Sequence, residues 1–204
     1  MDDDEGIKII ILGESGVGKT NLMNVYFNKD FQSSTEATMA SYCMEDEIKH
    51  GDKIYKYFIW DTAGQEKYKG ITKMFVRKAK IILMVYAIDN KNSFNEIDTW
   101  INFVKTNIED DKYIIAIIAN KSDLFESQEV TDEEGKEKAE KYGYDFLITS
   151  ALLKAKSFKN FVAKLIIKYI EMTKENGDSK EKKKNIKVKK DKKKDKNNSK
   201  KKSC

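Results

Sequence analysis

The sequence predicts an α/β fold: a mainly parallel six-stranded sheet with one antiparallel edge strand and helices on both faces. Three observations predict it. Apolar runs alternate with helical periods along most of the chain. Most of those runs are apolar without a polar face, as strands covered by helices on both sides must be. Two of them, 42–48 and 53–60, flank His50-Gly51-Asp52, which reads as a hairpin turn and supplies the antiparallel edge.

Taken in order, Ile7 to Leu12 is an apolar strand broken only by Lys8, followed by a Gly-rich turn and a helix over Lys19 to Asn28 with Leu22, Val25 and Tyr26 on one face. After the hairpin, Ile81 to Tyr86 and Tyr113 to Ala119 are buried strands. Between them Ser93-Phe94-Asn95-Glu96 has the pattern of a capping box, opening a helix whose face is Phe94, Ile97, Ile101 and Val104. A second box, Thr131-Asp132-Glu133-Glu134, opens the next helix. Tyr144 to Thr149 is a short strand, and the final helix carries Phe158, Phe161, Val162, Leu165, Ile166, Tyr169 and Ile170. In sheets of this kind ligands bind beyond the carboxyl ends of the strands, which is where the motifs below fall.

Composition sets the frame. The chain has 204 residues, enough for one domain with a sizeable core, and its 40% hydrophobic content is ordinary for a folded protein. Charge is unevenly placed: residues 174–204 hold 15 Lys against five acidic residues, leaving 24 basic and 29 acidic residues in the rest. After Met172 the apolar pattern stops, so the reading divides the chain into an acidic extension at 1–6, a folded domain at 7–172 and a Lys-rich tail without fixed structure at 173–204. No apolar run approaches the roughly 20 residues of a membrane span, and no signal-peptide pattern follows Met1. The expectation is a cytoplasmic monomer. Cys43 and Cys204 are the two cysteines, and a reducing compartment disfavours a bond between them. The single histidine, His50, is a turn residue with no zinc-type cluster around it.

Gly13-Glu14-Ser15-Gly16-Val17-Gly18-Lys19-Thr20 matches the P-loop pattern and lies between a buried strand and a helix, as the chemistry requires. Its glycines let backbone N–H groups face a β-phosphate at the helix N-terminus, with Asn21 following in the first turn. Lys19 supplies a cation between the β- and γ-phosphates, and the Thr20 hydroxyl is a hard oxygen ligand suited to Mg²⁺. Asp61-Thr62-Ala63-Gly64-Gln65 follows the second hairpin strand. Asp61 could hold Mg²⁺ through water, and Gly64 leaves its N–H free to approach a γ-phosphate, a contact that would vanish on hydrolysis. Asn120-Lys121-Ser122-Asp123, with Leu124 after it, caps another strand. The Asp123 carboxylate can accept from guanine N1–H and N2–H₂, an edge adenine lacks. The Lys121 stem can pack on the ring, and Asn120 can bridge the loops. Ser150-Ala151, followed by Leu152, can offer a backbone N–H to guanine O6.

Together these motifs make the sequence resemble the Ras superfamily of small GTPases over residues 7–172, and within it the Rab family, through Trp60-Asp61-Thr62-Ala63-Gly64-Gln65-Glu66-Lys67-Tyr68 and Val85-Tyr86-Ala87-Ile88-Asp89. The resemblance implies a P-loop NTPase small G domain that binds GTP or GDP with Mg²⁺. It implies that Phe31 packs against the base, that Thr38 gives its hydroxyl to Mg²⁺ and its N–H to the γ-phosphate, and that Gln65 orients the attacking water. It also implies an exchange factor, a GTPase-activating protein and effectors acting through 38–43 and 60–75. Departures are visible as well. Met39-Ala40-Ser41-Tyr42-Cys43 follows Thr38 where a Rab usually has Ile-Gly-Val-Asp-Phe. Of the Rab effector aromatics Trp60 and Phe75 are present, Cys43 replaces a phenylalanine, and Leu152 replaces a lysine.

Two further readings concern the tail and the class of activity. A lipid on Cys204, expected from the resemblance although no C-a-a-X box is present, would combine with the lysines to hold the chain reversibly on the cytosolic face of an intracellular membrane. Each Lys near an anionic leaflet contributes up to about 1 kcal/mol. A nucleic-acid role for the lysines is the weaker reading, and no nucleic acid is expected. Asp2 excludes the second-position glycine that N-myristoylation needs. The function expected is a GTP/GDP switch with slow hydrolysis, regulating vesicle traffic. The alternatives are a Ras- or Ran-like signalling or nuclear protein, a module that holds GTP with little hydrolysis, and a P-loop ATPase, which Asp123 disfavours.

Overall fold

The computed structural model describes residues 6–32, 42–62, 69–153 and 156–174. The chain divides into two units, Met1–Ile167 and Lys168–Cys204; of the second, residues 168–174 are described, as helix. The first unit contains strands β1 (Ile7–Leu12), β2 (Tyr42–His50), β3 (Lys53–Asp61), β4 (Ile81–Ala87), β5 (Ile114–Asn120) and β6 (Asp145–Ile148). Its helices are α1 (Lys19–Tyr26), α2 (Lys69–Val76), α3 (Lys91–Asn107), α4 (Asp132–Tyr142) and α5, described from 156 to the end of the unit.

The six strands form one sheet in the order β2-β3-β1-β4-β5-β6. All neighbouring pairs are parallel except β2 with β3, which runs antiparallel from Tyr42↔Asp61 to His50↔Lys53. That register leaves Gly51 and Asp52 as a two-residue turn, so the expected hairpin is present. Every residue of β4 and β5 is buried, because helices cover both faces of the middle of the sheet. β2, at the edge, has no buried residue at all, and Glu45, Asp46 and Glu47 stand exposed along it. Charges on an edge strand discourage pairing with another chain.

Helix α3 shows how sequence and fold agree on a face and differ at an end. Phe94, Ile97, Ile101 and Val104 are buried, as their spacing predicts, and Trp100 joins them. Its start is a correction. The helix begins at Lys91, and the cap is Asn90, whose side chain accepts from Ser93 N–H at 2.9 Å. Ser93 is buried inside the first turn instead, its hydroxyl donating to Asn90 O at 2.7 Å and accepting from Ala87 N–H at 3.1 Å. The box pattern misled because the two polar residues compete for one cap and only Asn90 has the extended backbone that a cap needs. Thr131 does cap α4 with the full reciprocal box to Glu134.

The elements so arranged put the ends of β1, β3, β4, β5 and β6 along one rim. The core that fixes this rim is made of side chains such as Ile10, Ile82 and Ile117, each with no exposed surface. Replacing Ile117 by Ala should lower stability by about 2–5 kcal/mol, because the removed methylenes leave a cavity between packed layers. Urea unfolding is the check, with a lower midpoint at unchanged slope expected.

Candidate functional site

The loop from Gly13 to Gly18 leaves the end of β1 and returns into α1. Its backbone takes a path that side chains oppose. Gly13 has φ 145°, and a Cβ there would run into the carbonyl of Val85 on β4. Gly18 has φ 92° and caps α1, and a Cβ on it would strike the Asn120 amide. No side chain caps α1 and its first turn holds no acidic residue, which suits an anion at that end.

Lys19 is buried, with its ammonium donating to Gly13 O and Glu14 O, both at 2.8 Å. Burial lowers its pKa to about 8, against the pull of the Asp61 and Glu14 carboxylates. The next residue, Thr20, donates its hydroxyl to Asp61 Oδ2 at 2.7 Å, joining the start of α1 to the end of β3. Burial raises the Asp61 pKa, with the Thr20 hydroxyl and Lys19 acting the other way. Asp61 Oδ1 is buried and has no hydrogen-bond partner among the described residues. A hydroxyl touching a carboxylate that has a spare buried oxygen fits a hydrated Mg²⁺. Thr62 anchors the same strand end by donating to Ile11 O at 2.7 Å.

On the base side, Asn120 ends β5 and is buried. Its Nδ2 donates to Val17 O at 2.8 Å, and its Oδ1 accepts from Ala151 N–H at 3.2 Å. It therefore bridges the loops, as expected. Ala151 N–H can serve a guanine O6 only by sharing or exchanging that bond. Lys121 has a left-handed backbone, φ 63°, and its ammonium lies 3.2 Å from Asp89 Oδ2 at the end of β4. Ser150 donates to Asp123 Oδ1 and accepts from the N–H groups of Leu152 and Leu153, both at 3.1 Å. Ser122 N–H donates to Thr149 O at 3.0 Å, so the 120–124 and 149–153 segments hold each other. Leu124 and Leu152 are exposed at their ends.

The structure thus brings together the P-loop, Thr20, Asp61, the 120–124 segment and 150–152. Asn21 uses its side chain on the backbone of Gln32, next to Phe31, which is 38% exposed. Thr38, Gly64 and Gln65 lie outside the described residues, as do Cys204 and residues 39–41. In the sequence Asp89 stands out only as part of a Rab-like stretch, and its pairing with Lys121 is visible only in the structure. Its signal was an acid two residues past a fully buried strand, on the ligand-bearing rim.

The edge expected to meet effectors is partly described. Trp60 and Phe75 pack with ring centroids 5.2 Å apart, Cys43 is the register partner of Trp60, and the Lys8 ammonium lies 5.5 and 5.4 Å from the two rings. Burial, with Glu45, raises the Cys43 pKa, so its thiol stays protonated and acts as a small apolar surface.

Lys19 generates a test by pH. A lowered folded-state pKa means that between about 8 and the ordinary lysine value near 10.5 the folded chain binds fewer protons than the unfolded one. Lys19's contribution to stability therefore rises with pH through that window. A phosphate placed beside the amine would favour its charged form. Nucleotide binding should take up a proton at pH 8.5 and almost none at pH 6.5, read by calorimetry in buffers of different ionisation enthalpy.

The family model described as the Ras family matches residues 8–171. The chain is 41% identical over 145 residues to Ras-related protein Rab-11B of Dictyostelium discoideum, a match covering 71% of this chain and 66% of that protein. It is 38% identical over 146 residues to Ras-related protein Rab-17 of Mus musculus, covering 72% and 68%. It is 34% identical over 159 residues to Ras-related protein RABA1c of Arabidopsis thaliana, covering 78% and 73%. The chain thus spans just under two thirds of the length of the Dictyostelium relative. With the Gly13–Gly18 loop, the Thr20–Asp61 pair and the 120–124 segment, expected from the sequence to be a purine loop, joined on one rim, and with that match across most of its length, the chain belongs to the Ras family.

Proposed function

We propose that the chain is a Rab-like guanine-nucleotide switch that hydrolyses GTP slowly to GDP and regulates membrane traffic. The observation that carries the reading is Asn120, whose amide ties the P-loop to the purine loop, so that one ligand reaches from Lys19 to Asp123. Guanine is the base that Asp123 can recognise by two donors, and Ser150 holds one of its oxygens in place.

The chain's part in hydrolysis is positioning and charge. Lys19 and the P-loop amides neutralise the β- and γ-phosphate oxygens, and Thr20 with Asp61 would hold Mg²⁺, joined by Thr38. Bound Mg²⁺ would supply charge neutralisation across the phosphates. Gln65 orients the water. Gly64 and Thr38 report whether the γ-phosphate is attached, so their segments change when it leaves. A partner protein supplying an arginine accounts for fast turnover, and an exchange factor for release of GDP. Effectors meet Trp60, Phe75 and the segment 38–43, where Cys43 in place of an aromatic changes the surface they must fit.

At the membrane, the Lys-rich tail and a lipid on Cys204 act together, since one chain plus a basic patch holds where neither does alone. Among the described residues no helix is long and apolar enough to cross a membrane. An unmodified Cys204 in the intact mass of protein from its native cell would refute the lipid.

The base assignment has its own test. A hydrogen bond to a charged group is worth about 1.5–3 kcal/mol, so Asp123→Asn should weaken GTP binding roughly tenfold or more and shift preference toward xanthine nucleotides. Titration of both variants with GTP, XTP and ATP checks it, and unchanged GTP affinity would overturn the assignment. Single-turnover hydrolysis by the purified chain, with and without an activator, separates a switch from a module that only holds GTP.

A further inference from the structure

We infer that Asn21 is a positioning residue for nucleotide retention, its side-chain amide clamping the Gln32 backbone and so holding Phe31 as the side wall of the base pocket. The inference rests on the reading of Phe31 as the residue packed against the base.

Asn21 lies in the first turn of α1, directly after Thr20, and is 8% exposed. Asparagine is a weak helix former, and its buried amide needs partners at both ends. One peptide supplies both. Asn21 Nδ2 donates to Gln32 O at 2.9 Å, and Gln32 N–H donates to Asn21 Oδ1 at 3.1 Å. Aspartate would lose the donor, and leucine would lose both bonds.

The chain between them leaves the far end of α1, where Lys29 N–H donates to Asn24 O at 2.8 Å. α1 has eight residues, roughly 12 Å at 1.5 Å each, and six residues bring the chain back alongside its first turn. Phe31 and Gln32 are both exposed, so burial of their own side chains does little to hold this stretch. The two Asn21 bonds do. They fix the residue after Phe31 to the same helical turn that carries Lys19 and Thr20, which couples the base wall to the phosphate site. On the other side of 33–41, the Lys29 ammonium donates to Tyr42 Oη at 3.2 Å and lies 5.0 Å from its ring. Both flanks of that segment are thereby tied to α1 and the loop after it.

The test is the dissociation rate of a fluorescent GDP analogue from the full chain with Mg²⁺, for wild type, Asn21→Ala, Phe31→Ala and the double variant. Two neutral hydrogen bonds are lost, so Asn21→Ala should release GDP roughly tenfold faster. Because Asn21 acts through Phe31, the double variant should release GDP no faster than about twofold beyond Phe31→Ala alone. Gln32→Pro, which deletes one of the bonds without touching α1, should raise the rate roughly threefold and carries the same comparison should Asn21→Ala fail to fold. An unchanged rate in Phe31→Ala would remove the base-wall reading and the clamp's role with it. A Phe31 effect with no Asn21 or Gln32 effect, or effects that multiply in the double variant, would overturn the clamp alone.

Discussion

The buried amide of Asn120 is the constraint on which the site depends. Its side chain reaches Val17 after β1 and Ala151 after β6, and its carbonyl accepts from Ile88 N–H after β4 at 3.1 Å. Three loops that are far apart in sequence are therefore held by one residue at the end of β5. A buried primary amide left without partners costs free energy at each end, so the loops cannot drift independently. Gly18 belongs to the same constraint, because only a residue without a Cβ leaves room for the Asn120 amide. The Gly13–Gly18 loop and the 120–124 segment are one structure.

Around that joint the protein keeps opposite charges in unfavourable surroundings. Lys19 satisfies its ammonium with the carbonyls of its own loop, while Thr20 engages one oxygen of Asp61 and the other has no partner among the described residues. Burial pushes the lysine pKa down and the aspartate pKa up, so each is disfavoured in its charged form. A phosphate beside the one and a divalent cation beside the other would relieve both. Perturbed groups clustered in this way are what a binding site requires.

The β2–β3 edge follows a different logic. Trp60 of β3, the strand next to the exposed, acidic edge strand β2, pairs with Phe75 of α2 under Lys8 of β1. Cys43 beside Trp60 offers less surface than a phenylalanine would. Among the described residues, none of the hydrogen bonds that hold Asn120, Lys19 and Asp61 runs through Cys43.

The sequence by itself determined the fold class, the strand order along the chain and the chemistry of the loops. Runs such as Ile114–Asn120 carry their burial in their composition, and the glycines of the P-loop state their backbone in their identity. Spacing located Lys19, Thr20, Asp61, Asn120 and Asp123, since such motifs are local. Helix ends were less legible: Asn90 and Ser93 offered two starts, and backbone geometry chose between them. Only the tertiary structure decided the pairings across loops, such as Lys121 with Asp89 and Asn21 with Gln32. The reason is physical. A side chain's type fixes how many hydrogen bonds it needs, but which distant group supplies them depends on where the packed sheet brings the loops together.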